Sequence, residues 1–177
     1  LHEVGLADHI EAVPVVVNGI NVVPELEVLN PLAQIPTVEF PNGIVLYDSR
    51  VIVDYLNAVY GGGRLIPVEY PARLDVLRRA ALAQGLTEKA MRWLLERFRP
   101  ETGRSEELMV ALARTVELTL DEMETEAANW TEVPVDAGHI GTAAILGYLD
   151  FRFAAIAWRE TRPNLAAWHE EFSKRPS

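Results

Sequence analysis

Residues 30–50 constrain the fold of this chain more than any other stretch. They read NPLAQIPTVEF, then the turn PNG, then IVLYDSR. Asn-Gly is a strong hairpin signal because both residue types tolerate positive φ, so residues 36–40 and 44–47 are predicted to form two short strands. Asp48 and Ser49 are preferred helix-capping residues, and apolar residues then recur at helical spacing as far as a run of three glycines. The stretch therefore predicts a hairpin that leads directly into a helix.

Upstream of the hairpin, the sequence predicts one further strand. Residues 1–6 look like the end of a helix that Gly5 stops. The valine-rich run at residues 12–17 favours a strand. Pro14 indicates an edge position for it, because proline lacks the N–H that an inner strand donates. The order predicted for this part is helix end, strand, loop, hairpin and helix.

Composition changes after the glycine run, and the rest of the chain predicts helices. A long helix over residues 72–98 and a second one that begins at Ser105 carry apolar stripes, and we expect them to pack antiparallel. The third, over residues 136–151, is apolar nearly all round, which indicates a helix buried on most sides. The last covers residues 164–174. The apolar stripes comprise Met91, Leu94, Leu95 and Phe98 in the first helix, Leu108, Leu112, Val116, Leu120, Met123 and Ala127 in the second, and Leu165, Trp168 and Phe172 in the last.

Net charge and residue usage argue against several classes of function. The chain has a formal charge of −10 at pH 7 and a pI near 4.9, so the phosphates of a nucleic acid would be repelled. It has no cysteine, which removes disulfides, thiolate zinc sites and a cysteine nucleophile from this sequence. No apolar run approaches the length of a membrane span, and the four histidines lack metal-ligand spacing. We therefore expect a cytoplasmic protein with no nucleic-acid, membrane or metal partner.

Two short motifs flank the predicted hairpin and carry the candidate chemistry. Residues 34–36, Gln-Ile-Pro, offer an extended backbone edge to another peptide. Asp48 and Ser49 put a carboxylate and a hydroxyl at a helix N-terminus, where backbone amides lack helical partners and favour anions. The carboxylate can bind an ammonium group, and the amides and hydroxyl can bind a carboxylate. This pair of charges is found at the end of a small zwitterionic peptide.

Each motif also has a purely structural interpretation. Only about one X-Pro bond in twenty is cis in folded proteins, so Pro36 is by default an ordinary trans proline at the start of a strand. Asp48 or Ser49 would cap the helix and stabilise it by about 1 kcal/mol whatever the protein does. Capping and ligand binding are compatible roles.

The segments NPLAQIP and LYDSR together resemble the corresponding segments of the glutathione transferase family. Residues 147–153 and 162–177 are also similar to bacterial members. The resemblance spans essentially the whole chain. It implies an α+β, thioredoxin-like first domain followed by an all-helical bundle as the second domain.

The resemblance assigns a role to each residue of the two motifs. It implies that Pro36 is cis and that the Ile35 backbone pairs with the cysteinyl unit of glutathione. Gln34 would hydrogen-bond the glycyl end without supplying charge. Asp48 would bind the amine of the γ-glutamyl group and Ser49 its carboxylate. Glutathione is thus expected as a cosubstrate, with no metal or bound cofactor.

By the same resemblance the chain divides into a glutathione-binding domain at residues 1–63, a linker at residues 64–71 and an all-helical domain at residues 72–177. The first strand and most of the first helix of the thioredoxin-like fold are absent from this sequence. That strand normally lies between the strand at residues 12–17 and the hairpin, and its absence would leave unpaired backbone groups. We therefore expect the natural protein to continue by roughly 20 residues before Leu1.

The implied reaction is attack of the glutathione sulfur on an electrophilic carbon of an apolar small molecule, a detoxification chemistry. In this family a Tyr, Ser or Cys near the first strand stabilises the thiolate, the nucleophilic form of sulfur. That segment lies outside this sequence, so the catalytic residue is unknown. The long helix lines the acceptor pocket in the family, which makes Leu86, Ala90 and Met91 candidate wall residues. The family also implies a homodimer in which the first domain of one subunit packs on the helical domain of the other.

Two alternatives to this function stay open. A non-catalytic relative would use the same fold as a ligand-binding or protein-interaction module. Residues 1–63 favour that alternative, because they hold eight acids and one base, Arg50, for a net charge of −7. The other alternative is dehalogenation or isomerisation with glutathione on the same fold.

Two features of the helical part concern packing rather than activity. The family usually begins its buried helix with Ser or Thr as the cap and Asp three residues later, and here the pair is Asp136 and His139. Asp136 remains a good cap, but the reciprocal side-chain acceptor is predicted to be lost. The tryptophans are expected in the core rather than in a ligand site: Trp93, Trp130, Trp158 and Trp168.

Overall fold

The computed structural model describes residues 1–17, 21–130 and 133–176. It divides into two compact units, Leu1–Ile66 and Pro67–Ser177. The former, called here the first unit, mixes short strands with helices, and the latter, the helical unit, contains helices alone among its described residues.

The first unit contains one short hairpin and two α-helices within its described residues. Its elements in chain order are two single 3₁₀ turns, His2–Val4 and Ala7–His9, then helix α1 (Pro24–Leu29), strands β1 (Val38–Glu39) and β2 (Val45–Leu46), and helix α2 (Ser49–Val59).

The hairpin predicted from the Pro-Asn-Gly turn is confirmed, although its strands are shorter than predicted. β1 and β2 are antiparallel, with Val38 opposite Leu46. The turn is closed by Phe40 N–H donating to the Ile44 carbonyl at 2.8 Å. Gly43 takes the positive φ, 82°, which glycine adopts without a steric penalty. The register is therefore fixed on both sides of the turn.

Upstream of the hairpin one prediction is wrong and one helix was missed, while the helix end predicted at residues 1–6 is a single 3₁₀ turn that ends at Gly5. Residues 12–17 form no strand, because a strand needs a ladder partner and none of the described residues pairs with this run. Helix α1 was not predicted at all. Its signals are present in hindsight: Pro24 occupies the first helical turn, and Glu25 and Glu27 follow it, where acidic residues favour a helix start.

A buried asparagine closes the first unit at its carboxyl end. The Asn57 side chain is 4% exposed and donates to the Ile66 carbonyl at 2.9 Å. Its oxygen accepts from the N–H groups of Leu65 and Ile66, at 2.9 and 3.2 Å. Leu65 and Ile66, which the sequence placed in the linker, are thus buried parts of the first unit.

The helical unit is built from three long helices and two shorter ones. The described elements are α3 (Ala72–Phe98), α4 (Glu106–Ala127), α5 (Ala137–Arg152), α6 (Trp158–Thr161) and α7 (Pro163–Phe172), with single 3₁₀ turns at Glu101–Gly103 and Ala154–Ile156. The long helices match the predicted ranges within one or two residues. The short α6 was not predicted.

Side-chain pairs fix the directions of the three long helices. Arg78 near the start of α3 pairs with Glu126 near the end of α4 at 2.6 Å, so α3 and α4 are antiparallel, as predicted. By contrast, α3 and α5 are parallel. Near the start of both helices, a Cβ added to Gly138 of α5 would lie 2.6 Å from Arg79 of α3. Further along both helices, the Tyr148 hydroxyl of α5 lies 2.9 Å from the Met91 sulfur of α3.

The stripe predicted on α3 is partly wrong. Met91, Leu95 and Phe98 are exposed, and only Leu94 of that set packs against the core. The buried face of α3 instead carries small residues where α5 comes close. An added Cβ on Gly141 would lie 3.2 Å from the Cβ of Ala83, so large side chains would not fit there. The apolar positions of α4 behave as predicted, and the buried ones are Leu112, Val116, Leu120, Met123 and Ala127.

Acidic residues of α4 hold the junction between α6 and α7. Arg162, 4% exposed, donates to Glu117 at 2.6 Å and to Asp121 at 2.7 Å. Glu124 accepts from the backbone N–H groups of Asn164 and Leu165, at 3.1 and 2.8 Å. This carboxylate therefore caps α7 from a neighbouring helix, at the end where the helix dipole favours negative charge.

Within the described ranges no single helix is long and apolar enough to cross a membrane. The segments Ala137–Arg152 and Ala154–Thr161 would together be long and apolar enough, but a 96° bend separates them.

Candidate functional site

A buried asparagine shapes the loop that contains the Gln-Ile-Pro motif. Asn30 is 1% exposed, and its side-chain N–H₂ donates to the Gln34 carbonyl and to the Thr37 hydroxyl, both at 3.1 Å. Its side-chain oxygen accepts from Leu32 N–H at 3.0 Å. Thr37 donates in turn to the Gln34 carbonyl at 2.7 Å. Four hydrogen bonds thus fix the backbone ahead of Pro36.

The loop presents the motif to solvent. The Ile35–Pro36 peptide is cis, as the resemblance implied. Gln34, Ile35 and Pro36 are all exposed, so their backbone and side chains are accessible to a ligand. Sequence reasoning missed the part played by Asn30, although an asparagine next to proline is a known turn signal.

The second motif begins helix α2. Asp48 is the N-cap, and its carboxylate accepts from Arg50 N–H at 3.0 Å. The Arg50 side chain also donates to this carboxylate, with Nη2 at 2.8 Å from Oδ2. Hydrogen bonding by the Arg50 side chain lowers the pKa of Asp48, and burial opposes that shift. Asp48 therefore stays ionised at neutral pH.

The hairpin brings the two motifs to the same end. Val38 lies opposite Leu46, Pro36 comes two residues before β1, and Asp48 comes two residues after β2. Ser49, half-buried, is the first residue of α2. An extended backbone edge, a carboxylate and the start of a helix thus lie at one end of one hairpin. The sequence order alone separates them by about a dozen residues.

The three predicted acceptor-pocket residues are placed differently from one another. Leu86 and Ala90 are 1% and 0% exposed and belong to the core of the helical unit. Their side chains are closed off from solvent by neighbouring helices. Met91 is 40% exposed, and only this residue of the three offers a surface.

The prediction for the start of α5 is wrong, because the capping box is complete. Asp136 accepts from His139 N–H at 3.0 Å, and Nδ1 of His139 accepts from Asp136 N–H at 3.2 Å. An imidazole nitrogen thus replaces the usual carboxylate acceptor. Burial raises the pKa of Asp136, but its contacts with His139 and the charge of Arg79 outweigh this and lower it.

Trp130, Trp158 and Trp168 lie in the core, as expected, and the partly buried Trp93 packs against that core. Among the described residues, no group of three or more His, Cys, Asp and Glu side chains is arranged to hold a metal ion.

His169 on α7 is a second buried histidine, in a network with charged groups from two other elements. One ring nitrogen lies 3.2 Å from the Ala143 carbonyl, and the other lies 3.0 Å from Arg159. Arg159 pairs with Asp150 at 2.5 Å. Burial lowers the pKa of His169, and the Arg159 charge adds to this, while the Ala143 hydrogen bond and Asp150 oppose it.

We expect acid to destabilise the protein through His169. Its pKa is lower in the folded chain, so the unfolded chain takes up the proton first as the pH falls. The stability that neutral His169 contributes is fully present above pH 6.5, the ordinary pKa of histidine. It is lost as the pH falls from there toward the lower pKa of the folded chain. Urea unfolding between about pH 8 and pH 5 checks this. His169→Gln should flatten the loss, whereas His9→Gln, which changes an exposed histidine, should leave it unchanged. Parallel curves for His169→Gln and the wild type would refute the role of His169.

Comparison with known proteins gives matches to both units. A family model described as the glutathione S-transferase N-terminal domain matches residues 1–59. A glutathione transferase family member from Pseudomonas fluorescens Pf-5, solved with bound glutathione, is 35% identical. The match covers 99% of this chain and 86% of that chain, with a TM-score of 0.93.

Two further relatives agree with this. A glutathione S-transferase from Methylobacillus flagellatus KT with glutathione bound is 32% identical, covering 98% of this chain and 88% of that chain, with a TM-score of 0.84. The uncharacterized GST-like protein YibF of Escherichia coli K12 is 28% identical over 151 residues, which is 84% of this chain and 74% of YibF. The predicted fold class, a thioredoxin-like domain followed by helices, is confirmed.

Proposed function

Because the chain belongs to the glutathione transferase family, we propose that it binds glutathione at the end of the hairpin opposite the Asn-Gly turn. In this proposal the Ile35 backbone pairs with the cysteinyl unit and Gln34 hydrogen-bonds the glycyl end. Asp48 takes the γ-glutamyl amine, and Ser49 takes its carboxylate.

The observation that carries the proposal is the pairing of Val38 with Leu46, which brings the Gln-Ile-Pro motif and the start of α2 to the same end of one hairpin. A tripeptide has one extended backbone and one charged γ-glutamyl end, and the hairpin offers a partner for each at the same place. The two solved relatives with bound glutathione support it. Asp48 carries a negative charge at neutral pH, as a carboxylate does, and the Arg50 side chain lowers its pKa further, so it suits an ammonium group.

The proposed reaction is conjugation of the glutathione sulfur to an apolar electrophile. The Pseudomonas relative has also been solved with S-(propanoic acid)-glutathione, a glutathione alkylated on sulfur, at 36% identity and a TM-score of 0.82. That ligand supports sulfur alkylation as the type of chemistry. We also propose a homodimer, for which the exposed Leu74 and Leu77 of α3 offer apolar surface.

The non-catalytic alternative has one observation in its favour. Asp48 is already engaged by Arg50 through the backbone and the guanidinium group, so the ligand amine has to share or displace that contact. A module that binds glutathione weakly, without turning it over, would have the same arrangement.

Asp48→Asn is expected to abolish retention on immobilised glutathione, because the amide keeps a cap acceptor but loses the charge that holds the amine. Unfolding free energy should fall by no more than about 1 kcal/mol, the size of a cap. Ser105→Ala is the matched control, since Ser105 caps α4 through Leu108 N–H at 3.2 Å. That variant should lose similar stability and keep full retention. Equal retention of Asp48→Asn and the wild type would remove Asp48 from the site.

A further inference from the structure

Acidic residues flank the loop that contains the Gln-Ile-Pro motif, residues 30–36, called here the motif loop. Residues 10–49 contain five acids and no Lys, Arg or His. Three of those carboxylates are exposed on the two elements next to the motif loop: Glu25 and Glu27 on α1, and Glu39 on β1. The motif loop also begins where α1 ends, and a helix carries partial negative charge at its carboxyl end. A further negative charge beside this loop is therefore repelled.

The two arginines of the first unit are engaged elsewhere. Arg50 pairs with Asp48 at 2.8 Å, at the start of α2. Arg64 donates to the carbonyls of Gly61 and Glu3, at 3.1 and 2.7 Å, beyond the end of α2. Among the described residues, the motif loop, α1 and β1 contain no arginine, lysine or histidine. These three segments thus offer no cation to a ligand carboxylate.

In the proposed function the side chain of Gln34 meets the glycyl end of the ligand. Gln34 is exposed, and its backbone carbonyl is held by Asn30 and Thr37 at 3.1 and 2.7 Å. A side-chain amide has two N–H donors and one carbonyl acceptor. A carboxylate can use only the donors, whereas a second amide can use a donor and the acceptor together. Gln34 therefore complements a neutral amide in full and a carboxylate only in part.

We propose that this site prefers a glutathione derivative whose glycyl carboxylate is replaced by a neutral amide. The γ-glutamyl end keeps both of its charges, which Asp48 and Ser49 hold as before, and the glycyl amide pairs with Gln34. The inference rests on the proposed function for the placement of the tripeptide. Glutathione itself still binds, but more weakly, because its second carboxylate comes close to the exposed carboxylates of α1 and β1.

Calorimetric titration of the full chain with glutathione and with its glycinamide form tests this preference. At about 0.01 M salt, where charges act over about 30 Å, the amide should bind about three- to fivefold more tightly than glutathione. At about 1 M salt, where the screening length is about 3 Å, the two affinities should approach each other. If the carboxylates of α1 and β1 only solvate the surface, the two ligands should bind equally at both salt concentrations.

Gln34→Lys puts a positive charge at the glycyl end and should reverse the preference. At about 0.15 M salt, this variant should bind glutathione about three- to fivefold more tightly than the wild type does, with no gain for the amide. Asn42→Lys is the matched control, because Asn42 is exposed in the turn at the other end of the hairpin. The rise of a strand sets it about 20 Å from Pro36, beyond the screening length of about 8 Å, so the ratio of the two affinities should not change.

The possible failures of this inference and of the proposed function are distinct. If the wild type binds glutathione as tightly as the amide at low salt, or more tightly, this inference alone is overturned, because both ligands share the γ-glutamyl and cysteinyl contacts. The same holds if Gln34→Lys and Asn42→Lys change the ratio of affinities alike. If the wild type binds neither ligand, the proposed function is overturned as well.

Discussion

Asn30→Ala is expected to lower the affinity for glutathione by about tenfold or more and the free energy of unfolding by about 1–3 kcal/mol. The side chain is buried and holds Gln34, Thr37 and Leu32 through three hydrogen bonds. Without it, Leu32 N–H loses its acceptor and residues 31–36 lose their fixed backbone. Ordering one backbone residue costs about 1–2 kcal/mol, and that cost then falls on the binding step. Calorimetric titration with glutathione and urea unfolding measure the two effects.

Two other asparagines of the first unit separate binding from stability. Asn57→Ala removes a buried side chain that also makes three hydrogen bonds to backbone, but far along the sequence from the motif loop. It should cost similar stability and, after correction for the folded fraction, leave the affinity unchanged. Asn42→Ala removes an exposed contact to Ile44 N–H at 3.1 Å and should do little to either quantity. If Asn30→Ala binds glutathione like Asn57→Ala, the loop does not form the peptide-binding wall.

Gly138→Ala is expected to destabilise the helical unit by about 2 kcal/mol or more. A Cβ there would lie 2.6, 2.8 and 2.9 Å from three carbons of the Arg79 side chain. Arg79 has no room to give way, because it pairs with Asp136 and with Glu126. It also lies over the Trp130 ring at 5.5 Å. Thermal unfolding should show a decrease of about 4–8 °C, from the usual scaling for a chain of this size.

Gly147→Ala, on the same helix, should act in the opposite direction. A Cβ at Gly147 meets nothing within 4 Å, and alanine in a helix interior is more stable than glycine by about 0.5–1 kcal/mol. The pair thus separates helix propensity from the contact with Arg79. A stabilised Gly138→Ala would mean that α3 and α5 are further apart than the structure places them.

The elements predicted correctly are those whose signals are local. The Asn-Gly turn, the Asp48 cap and the repeating apolar positions of α4 each lie within a few residues of the element they define, and each is found. The strand predicted at residues 12–17 failed for the opposite reason. Its residues favour an extended backbone, but a strand exists only with a partner, and none of the described residues supplies one.

The sequence predicted the residues of the candidate site but not the residues that hold them in position. Gln34, Pro36 and Asp48 were named from motif and resemblance, whereas the work of Asn30 and Arg50 depends on distances that the sequence does not contain. The exposed side of α3 was misjudged in the same way. Apolar spacing gave a stripe at Met91, Leu95 and Phe98, but the close approach of α5 at Gly138 and Gly141 put the smaller residues inside.

The sequence by itself determined the turns, the caps, the helical second half and the family to which the chain belongs, because these depend on residue type and short spacing. Only the tertiary structure decided that α3 and α5 run parallel, because the approach of two helices is set by packing between residues distant in the chain. The contact by which His139 completes the cap of Asp136 is local, but it depends on the orientation of the imidazole ring toward Asp136 N–H, which residue type alone does not determine.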